Sequence, residues 1–252
     1  MIKGLLGAAG EVLALPAYQR AMARRGRPEQ FTTLAYGKHG RQYLLHRPAL
    51  DSAAPVAVWV HGGGWQFGSP DRLLGFGTYF HRRGYHVYLV SHRRIPRFGG
   101  SSIVQDLEAA LRLIDSRHPN GHLLLGGVSS GGHLATLCAL RQNTWRHRLQ
   151  LQGLITCAAP LSLQDLAYSP VLHRVAGRAS SRQFAKLDPL VALDHTPDFP
   201  ALMIHGTADG LVPYRSAQRF WRKAENLGWA GLSTQTLLGG SHIDAGRWVF
   251  EE

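Results

Sequence analysis

At 252 residues, with 44% hydrophobic and 17% charged residues, the chain can bury one substantial core and has the composition of a globular protein. Its formal charge of +12 would allow an anionic partner. No zinc-ligand spacing, basic zipper or RNA-binding aromatic motif accompanies the scattered arginines, so we expect no nucleic-acid partner. No stretch reaches the roughly 18 consecutive apolar residues of a membrane span. We expect a cytoplasmic location, with peripheral membrane contact as the alternative; the oligomeric state stays open.

Residues 1–30 form the first predicted unit, a helical segment with one apolar face. Glu11 breaks the uninterrupted apolar stretch that a cleaved signal peptide would need. We expect this helix to lie over the core or over the mouth of a site. The alternative is weak contact with a membrane surface, in which the basic residues from Arg20 to Arg27 meet lipid headgroups. The apolar positions of the face are Ile2, Leu5, Leu6, Ala9, Val12, Leu13 and Pro16.

From about residue 32 onward, strand patterns alternate with helix patterns, which predicts an α/β domain over 31–252 with a largely parallel sheet. Residues 160–198 break this rhythm with four prolines and short helical pieces, and we predict a cap-like insertion over the site. The predicted strands are 34–36, 41–46, 56–60, 85–90, 122–126, 151–157, 201–205 and 233–238, and the helices are 72–83, 103–117, 130–141, 214–227 and one after His242.

Two cysteines, Cys138 and Cys157, lie in apolar segments. A disulfide or a reactive thiol is one interpretation of such a pair. We favour two buried free thiols, because free cysteine is among the most buried residue types.

A pentapeptide after the strand 122–126, Gly127-Val128-Ser129-Ser130-Gly131, matches the pattern G-x-S-x-G. In that pattern the serine occupies a strained turn between a strand and a helix, and the small flanking residues let the two segments pass close together. The pattern alone is weak evidence in a chain with 29 glycines. Its position before an apolar helix makes Ser129 the candidate nucleophile.

A glycine loop, His61-Gly62-Gly63-Gly64-Trp65, follows the buried strand 56–60. A tight loop of this kind can direct backbone N–H groups at one point, where they would stabilise the oxyanion of a tetrahedral intermediate together with the amide that follows the nucleophile.

The last two strands are each followed by a candidate partner of Ser129. Asp209 lies on the loop after the strand 201–205, and His242 follows the strand 233–238. Carboxylate, imidazole and serine together form the triad of acyl-transfer enzymes, and the order Ser, Asp, His is the one used by α/β-hydrolases.

Taken together, these motifs resemble the HGGG-type esterases and lipases of the α/β-hydrolase fold, in the hormone-sensitive-lipase and feruloyl-esterase-like branch. The resemblance runs from about Tyr36 onward and includes residues 43–48, Trp65 and Gly68, and the segment 131–135 after the nucleophile. It implies Gly63, Gly64 and Ser130 as oxyanion amides, Trp65 as a substrate-binding residue, and hydrolysis of small or short-chain carboxylic esters through an acyl-enzyme without metal or organic cofactor.

The same residues are also compatible with other functions. Arylformamidases are similar in layout, including the segment 131–135 and His242-Ile243-Asp244, but their oxyanion loop usually carries a tyrosine where this chain has Gly64. A small peptidase or amidase could use the same triad. A non-catalytic hydrolase-like binding protein is a further alternative, although such proteins usually lack part of the triad.

The loop after the strand 85–90 departs from the family pattern, with Ser91-His92-Arg93-Arg94-Ile95-Pro96 in place of Tyr-Arg-Leu-x-Pro. We expect Arg93 to serve the scaffold. Because the loop leaves the carboxyl end of a strand, we expect Arg94 and Arg97 to face the mouth of the site and to favour substrates that carry an acidic group.

Overall fold

The computed structural model describes residues 2–250, and their side-chain environments from residue 10 onward. The helices are α1 (Ile2–Arg24), α2 (Leu74–Arg82), α3 (Gly100–Arg117), α4 (Ser130–Leu140), α5 (Pro170–Ala176), α6 (Arg182–Leu187), α7 (Pro189–Ala192) and α8 (Tyr214–Asn226). The strands are β1 (Thr32–Ala35), β2 (Tyr43–Arg47), β3 (Val56–Val60), β4 (His86–Val90), β5 (His122–Val128), β6 (Gln150–Cys157), β7 (Ala201–Gly206) and β8 (Leu232–Leu237). The side chains of Ile2, Leu5, Leu6 and Ala9 in the predicted apolar face lie outside the described residues.

All eight strands join one sheet in the order β1-β2-β4-β3-β5-β6-β7-β8. The pairs β1/β2 and β2/β4 are antiparallel, and the remaining pairs are parallel. The predicted α/β class is confirmed. The loops that follow β3, β5, β7 and β8 therefore leave the same edge of the sheet, where ligands bind in folds of this kind.

The core lies on both faces of the sheet, and β3 shows how one strand serves both. Val56, Val58 and Val60 pack into the larger cluster with helices α3, α4 and α8, whereas Ala57 and Trp59 pack into a second cluster with α2 and Met22 of α1. Successive side chains of a strand point to opposite faces. A continuous run of buried apolar residues is therefore what a strand covered on both sides requires.

Helix α3 has the apolar face that its spacing predicts. Ile103, Leu107, Ala110, Leu111 and Ile114 are all fully buried, because residues three and four apart lie on the same side of a helix. The helix begins three residues earlier than predicted, at Gly100.

Two predicted helices differ in form. The segment predicted as helix 72–83 begins with a 3₁₀ turn, Pro70–Leu73, before α2 continues to Arg82. The segment after His242 is 3₁₀ helix from Asp244 to Phe250. The spacing of apolar residues predicts that a segment is helical. It does not distinguish an α-helix from a 3₁₀-helix, because the two have nearly the same spacing of residues along one face.

A buried ion pair fixes the loop after β4. The guanidinium of Arg93 lies 2.7 Å from Asp106 Oδ1. The backbone N–H of Arg93 donates to Asp106 Oδ2 at 2.8 Å, and Gln42 Nε2 donates to Oδ1 at 2.8 Å. Asp106 is 1% exposed. Its hydrogen bonds and its ion pair offset the desolvation cost of burying a carboxylate. Arg93 has the scaffold role expected for it.

Replacing Leu107 with alanine tests the core. Leu107 is fully buried, so Leu107→Ala should lower the free energy of unfolding by about 2–5 kcal/mol through lost contacts and a residual cavity. Leu50 is fully exposed, and the matched control Leu50→Ala should change it by less than about 0.5 kcal/mol. Urea denaturation of wild type and of both variants measures these free energies of unfolding. Equal effects would contradict the described packing of α3.

Candidate active site

Ser129 lies at the sharp turn between β5 and α4. Its backbone has φ 52° and ψ −125°, a region that costs a non-glycine residue about 1–3 kcal/mol and is found mainly at functional sites. Its N–H donates to the carbonyl oxygen of Cys157 at 2.8 Å, which ties the turn to the end of β6. This is the strained strand-to-helix turn that the G-x-S-x-G pattern predicts.

The glycines on either side of Ser129 are required by close backbone contact. A Cβ atom at Gly127 would lie 2.6 Å from the carbonyl carbon of Gly131. A Cβ atom at Gly131 would overlap the carbonyl oxygens of Val60 and His61. The start of α4 therefore rests directly on the end of β3, and no side chain fits between them.

The glycine loop lies against the same turn. A Cβ atom at Gly62 would be only 3.1 Å from Ser129 Cβ. Gly63 and Gly64 have φ angles of 127° and 59°, which favour glycine. Gly64, like Ser129, contributes to the wall of one cavity.

Ser130 contributes the third predicted oxyanion amide. It is the first residue of α4, so its N–H has no acceptor within the helix. Gly63 and Ser130 also line the cavity. The three residues of the predicted oxyanion hole thus line one cavity.

Asp209 and His242 form a buried pair. His242 Nδ1 donates to Asp209 Oδ2 at 2.8 Å, and the two side chains are 7% (His242) and 0% (Asp209) exposed. The backbone N–H groups of Leu211 and Val212 donate to Asp209 Oδ1 at 2.9 and 2.8 Å. Both oxygens of the carboxylate are therefore occupied, and its orientation is fixed.

A second histidine supports the same carboxylate. His205 Nε2 lies 2.9 Å from the carbonyl oxygen of Val212 and 3.2 Å from Asp209 Oδ2. Both neighbours are acceptors, so this nitrogen carries the hydrogen. Burial alone would raise the pKa of Asp209, but the hydrogen bonds from His205 and His242 outweigh it and hold that pKa well below its usual range. Asp209 stays ionised beside His242.

Glu11 of α1 meets the loops that carry this pair. Its carboxylate oxygens accept hydrogen bonds from the backbone N–H groups of Gly210 and His242, both at 3.1 Å. In the sequence, Glu11 stands out only because it breaks the apolar stretch of the first helix. A single acidic residue within an apolar stretch was the available signal, because a carboxylate that becomes buried needs donors from elsewhere in the fold.

The cavity in front of Ser129 has a volume of about 710 Å³ and is also lined by His242. Helix α1 contributes Val12, Leu15, Pro16, Tyr18 and Gln19 to its wall. The predicted insertion contributes Pro160, Leu166, Ala167, Ser169, Val171 and Leu172. Both segments thus contribute to the wall of the cavity.

Trp65 lines the cavity while its indole is buried. Its Nε1–H donates to His133 Nδ1 at 3.3 Å, and His133 Nε2 in turn lies 2.8 Å from the carbonyl oxygen of Leu187. His133 is therefore a neutral imidazole that connects the glycine loop to the insertion. Burial lowers its pKa to about 4.

Arg94 and Arg97 are not among the residues that line the cavity in the described part of the chain. Arg94 donates to the carbonyl oxygen of Gly68, which follows the glycine loop and itself lines the cavity. Arg97 is exposed and lies 5.8 Å from the ring centre of Phe98. The lining of the cavity therefore gives no support to the expectation that both face the mouth, which stays a prediction.

Both cysteines are free and buried, as predicted. Cys157 lines the cavity, and burial raises the pKa of its thiol to about 12. Neither thiol is activated as a nucleophile. Among residues 10–250, no group of three or more His, Cys, Asp or Glu side chains could hold a metal ion.

Residues 44–224 match the model of the BD-FAE family. The chain belongs to the BD-FAE family. Relatives include the probable carboxylic ester hydrolase LipM of Mycobacterium tuberculosis, 27% identical over 218 residues that cover 74% of this chain and 50% of the relative. Esterase LipQ of the same organism is 23% identical over 239 residues, which cover 84% of this chain and 57% of the relative. The chain thus spans about half the length of these curated relatives.

Solved structures show the fold. Esterase B from Lactobacillus rhamnosis superposes with a TM-score of 0.73 at 21% identity, covering 98% of this chain and 89% of that one. A truncated carbohydrate esterase from gut microbiota superposes with a TM-score of 0.75 at 16% identity, and the match covers 87% of this chain and 92% of that one. The chain has the α/β-hydrolase fold. In the described residues, no helix has the length and apolar content needed to cross a bilayer.

Substitution of Gly131 tests the contact between α4 and β3. Gly131→Ala should shift the turn at Ser129, because its Cβ atom would overlap two carbonyl oxygens. We expect a lower melting temperature and a loss of at least about tenfold in the labelling rate of Ser129 by a fluorophosphonate. A Cβ atom at Gly40 would meet no other atom within 4 Å, so Gly40→Ala is the matched control. Wild-type labelling in Gly131→Ala would contradict the described contact.

Acid should weaken the fold partly through His133. Its folded-state pKa of about 4 lies below the ordinary histidine value of about 6.5. Its contribution to stability is therefore complete above pH 6.5 and is lost as the pH falls toward 4, at up to about 1.4 kcal/mol per pH unit. The unfolding free energies of wild type and His133→Asn at pH 7 and pH 4.5 measure this contribution. The variant should lose less stability on acidification, whereas the exposed control His147→Asn should follow wild type.

Proposed function

We propose that this chain is a serine carboxylic-ester hydrolase that acts on small or short-chain esters through an acyl-enzyme intermediate. Ser129 is the nucleophile, His242 the general base and Asp209 the group that orients the histidine. The amides of Gly63, Gly64 and Ser130 form the oxyanion hole. The esterase names of its relatives support the same reaction.

One observation carries this proposal. The cavity that contains the strained turn at Ser129 also contains His242, whose Nδ1 is bonded at 2.8 Å to a buried carboxylate. An Nδ1–H held in this way leaves Nε2 as the basic nitrogen, which is the tautomer that a general base needs. A strained serine beside an oriented imidazole and a glycine loop is the arrangement used for acyl transfer.

In the acylation step, His242 Nε2 takes the proton of Ser129 as its Oγ attacks the ester carbonyl carbon. The carbonyl oxygen becomes an oxyanion that accepts hydrogen bonds from the three amides. The C–O bond to the alcohol then breaks, His242 returns the proton to the departing alcohol oxygen, and the acyl group remains on Ser129. Asp209 stabilises the imidazolium that exists between these two proton transfers.

In the deacylation step, a water molecule replaces the alcohol. His242 takes its proton, the resulting hydroxide attacks the acyl carbon, and the oxyanion forms again at the same amides. Collapse of this intermediate breaks the bond to Ser129 Oγ, which regains the proton from His242. The carboxylic acid leaves and the free enzyme is restored.

The cavity supports a small substrate. Its volume of about 710 Å³ falls within the range of small-molecule sites. Apolar side chains of α1, of α2 and of the insertion form much of the wall, among them Leu15, Phe76 and Leu172. We expect this wall to bind the apolar acyl or alcohol group of the ester.

Comparison of wild type with Ser129→Ala on p-nitrophenyl esters from acetate to dodecanoate tests the proposal. Wild type should hydrolyse the esters with a preference for short chains. Ser129→Ala should lower kcat/KM by about 10⁴-fold or more, because removal of the nucleophile eliminates covalent catalysis. The exposed serine control, Ser180→Ala, should retain wild-type rates.

A second substrate separates the alternatives. N-formylkynurenine in the same assay tests formamide hydrolysis, and turnover of this compound without turnover of esters would replace the proposal with an arylformamidase. If neither substrate is turned over and a fluorophosphonate does not label Ser129, the remaining interpretation is a binding protein of the same fold.

A further inference from the structure

Glu11 joins three parts of the chain that are distant in sequence. It lies on α1 and is only 8% exposed. One carboxylate oxygen accepts the N–H of Gly210, the residue after Asp209, and the other accepts the N–H of His242 itself. One side chain of the N-terminal helix therefore contacts the loops of both the proposed acid and the proposed base.

The relative position of these two loops controls the proposed catalytic histidine. The loop after β7 carries Asp209, and the loop after β8 carries His242. The backbone N–H of Ala208 donates to the carbonyl oxygen of Gly240 at 2.9 Å, and the side chains meet at the Asp209–His242 bond. Glu11 adds two bonds at the points where each loop presents its functional residue. Any slip between the loops would change the direction in which His242 Nε2 points.

Packing alone does not account for a glutamate at this position. The neighbouring cavity-lining residues of α1, Val12 and Leu15, are apolar, and an apolar residue would cover the core without a desolvation cost. A carboxylate has two acceptor oxygens that can each hold a separate donor. The two donors here come from two different loops, so this residue type matches a bridge between them.

We propose that Glu11 is a positioning residue for the triad: its carboxylate fixes the Asp209 and His242 loops relative to each other and so directs His242 toward Ser129. This inference rests on the proposed function. It assigns to helix α1 a part in catalysis besides forming the wall of the cavity.

Glu11→Gln and Glu11→Ala test this role. The amide of glutamine offers one acceptor and presents N–H groups where the second oxygen was, so one loop loses its bond; alanine removes both. We expect kcat for p-nitrophenyl butyrate to fall about tenfold in Glu11→Gln and about 10²-fold in Glu11→Ala, with KM changed less than about twofold. Fluorophosphonate labelling of Ser129 should slow in parallel, since it requires the same base.

Two control variants separate positioning from other effects. Glu29→Gln removes one carboxylate at an exposed site outside the cavity and should keep wild-type kcat and KM. Leu15→Ala changes the cavity wall on the same helix, and its effect should appear in KM and vary with acyl chain length. The loss in the Glu11 variants should be the same for every chain length.

Proton NMR provides a readout that needs no turnover. The Nδ1–H of His242, bonded to Asp209, should give a strongly downfield resonance in wild type, and this resonance should shift or broaden in Glu11→Gln. Glu11→Gln is nearly isosteric, so it tests the inference even if Glu11→Ala does not fold. Wild-type kcat, labelling and resonance in folded Glu11→Gln would overturn the inference, as would a loss confined to KM. An inactive, unlabelled wild type would instead overturn the proposed function, while the resonance would still test the bridge.

Discussion

Backbone contact between the start of α4 and the end of β3 holds the candidate nucleophile beside the glycine loop. At Gly131 the two segments approach so closely that a single methyl group would overlap the carbonyl oxygens of Val60 and His61. The strained φ of Ser129 persists because this contact and the bond from its N–H to Cys157 determine the turn from both sides. The proposed roles of the oxyanion amides and of His242 both depend on where that turn places Ser129.

The buried pair of Asp209 and His242 is held by hydrogen bonds rather than by close backbone contact. Asp209 is fully buried, yet four donors from the loop after β7, His205 and His242 surround it. A buried carboxylate is tolerated when hydrogen bonds satisfy it, and here they also keep it ionised. Such a group can orient an imidazole without exchanging a proton with it. Rigidity and charge at this position thus have the same physical origin.

The fold was predictable from the sequence because its signals are local. The valine-rich strand 56–60 and the apolar spacing of 103–114 each describe one element, and the glycine patterns describe turns. The candidate triad could be proposed from the sequence because chain order and strand ends place its residues at one edge. The hydrogen bonds of Glu11 were not predictable, since its two donors are backbone groups 199 and 231 residues away. The side-chain directions of Arg94 and Arg97 were not predictable for a related reason: the strand end locates a loop but not the direction of its side chains.

The bridge at Glu11 has a consequence for how the protein is made. Tyr18 of the same helix donates to the carbonyl oxygen of Gly246, so α1 is bonded at several points to segments synthesised about 200 residues later. Contacts of such long range form late in folding, because the entropy of closing the intervening chain must be overcome first. A nascent chain can complete its sheet up to β6 while Glu11 still lacks both partners. The two bonds of Glu11 therefore cannot both form until the chain has been synthesised past His242.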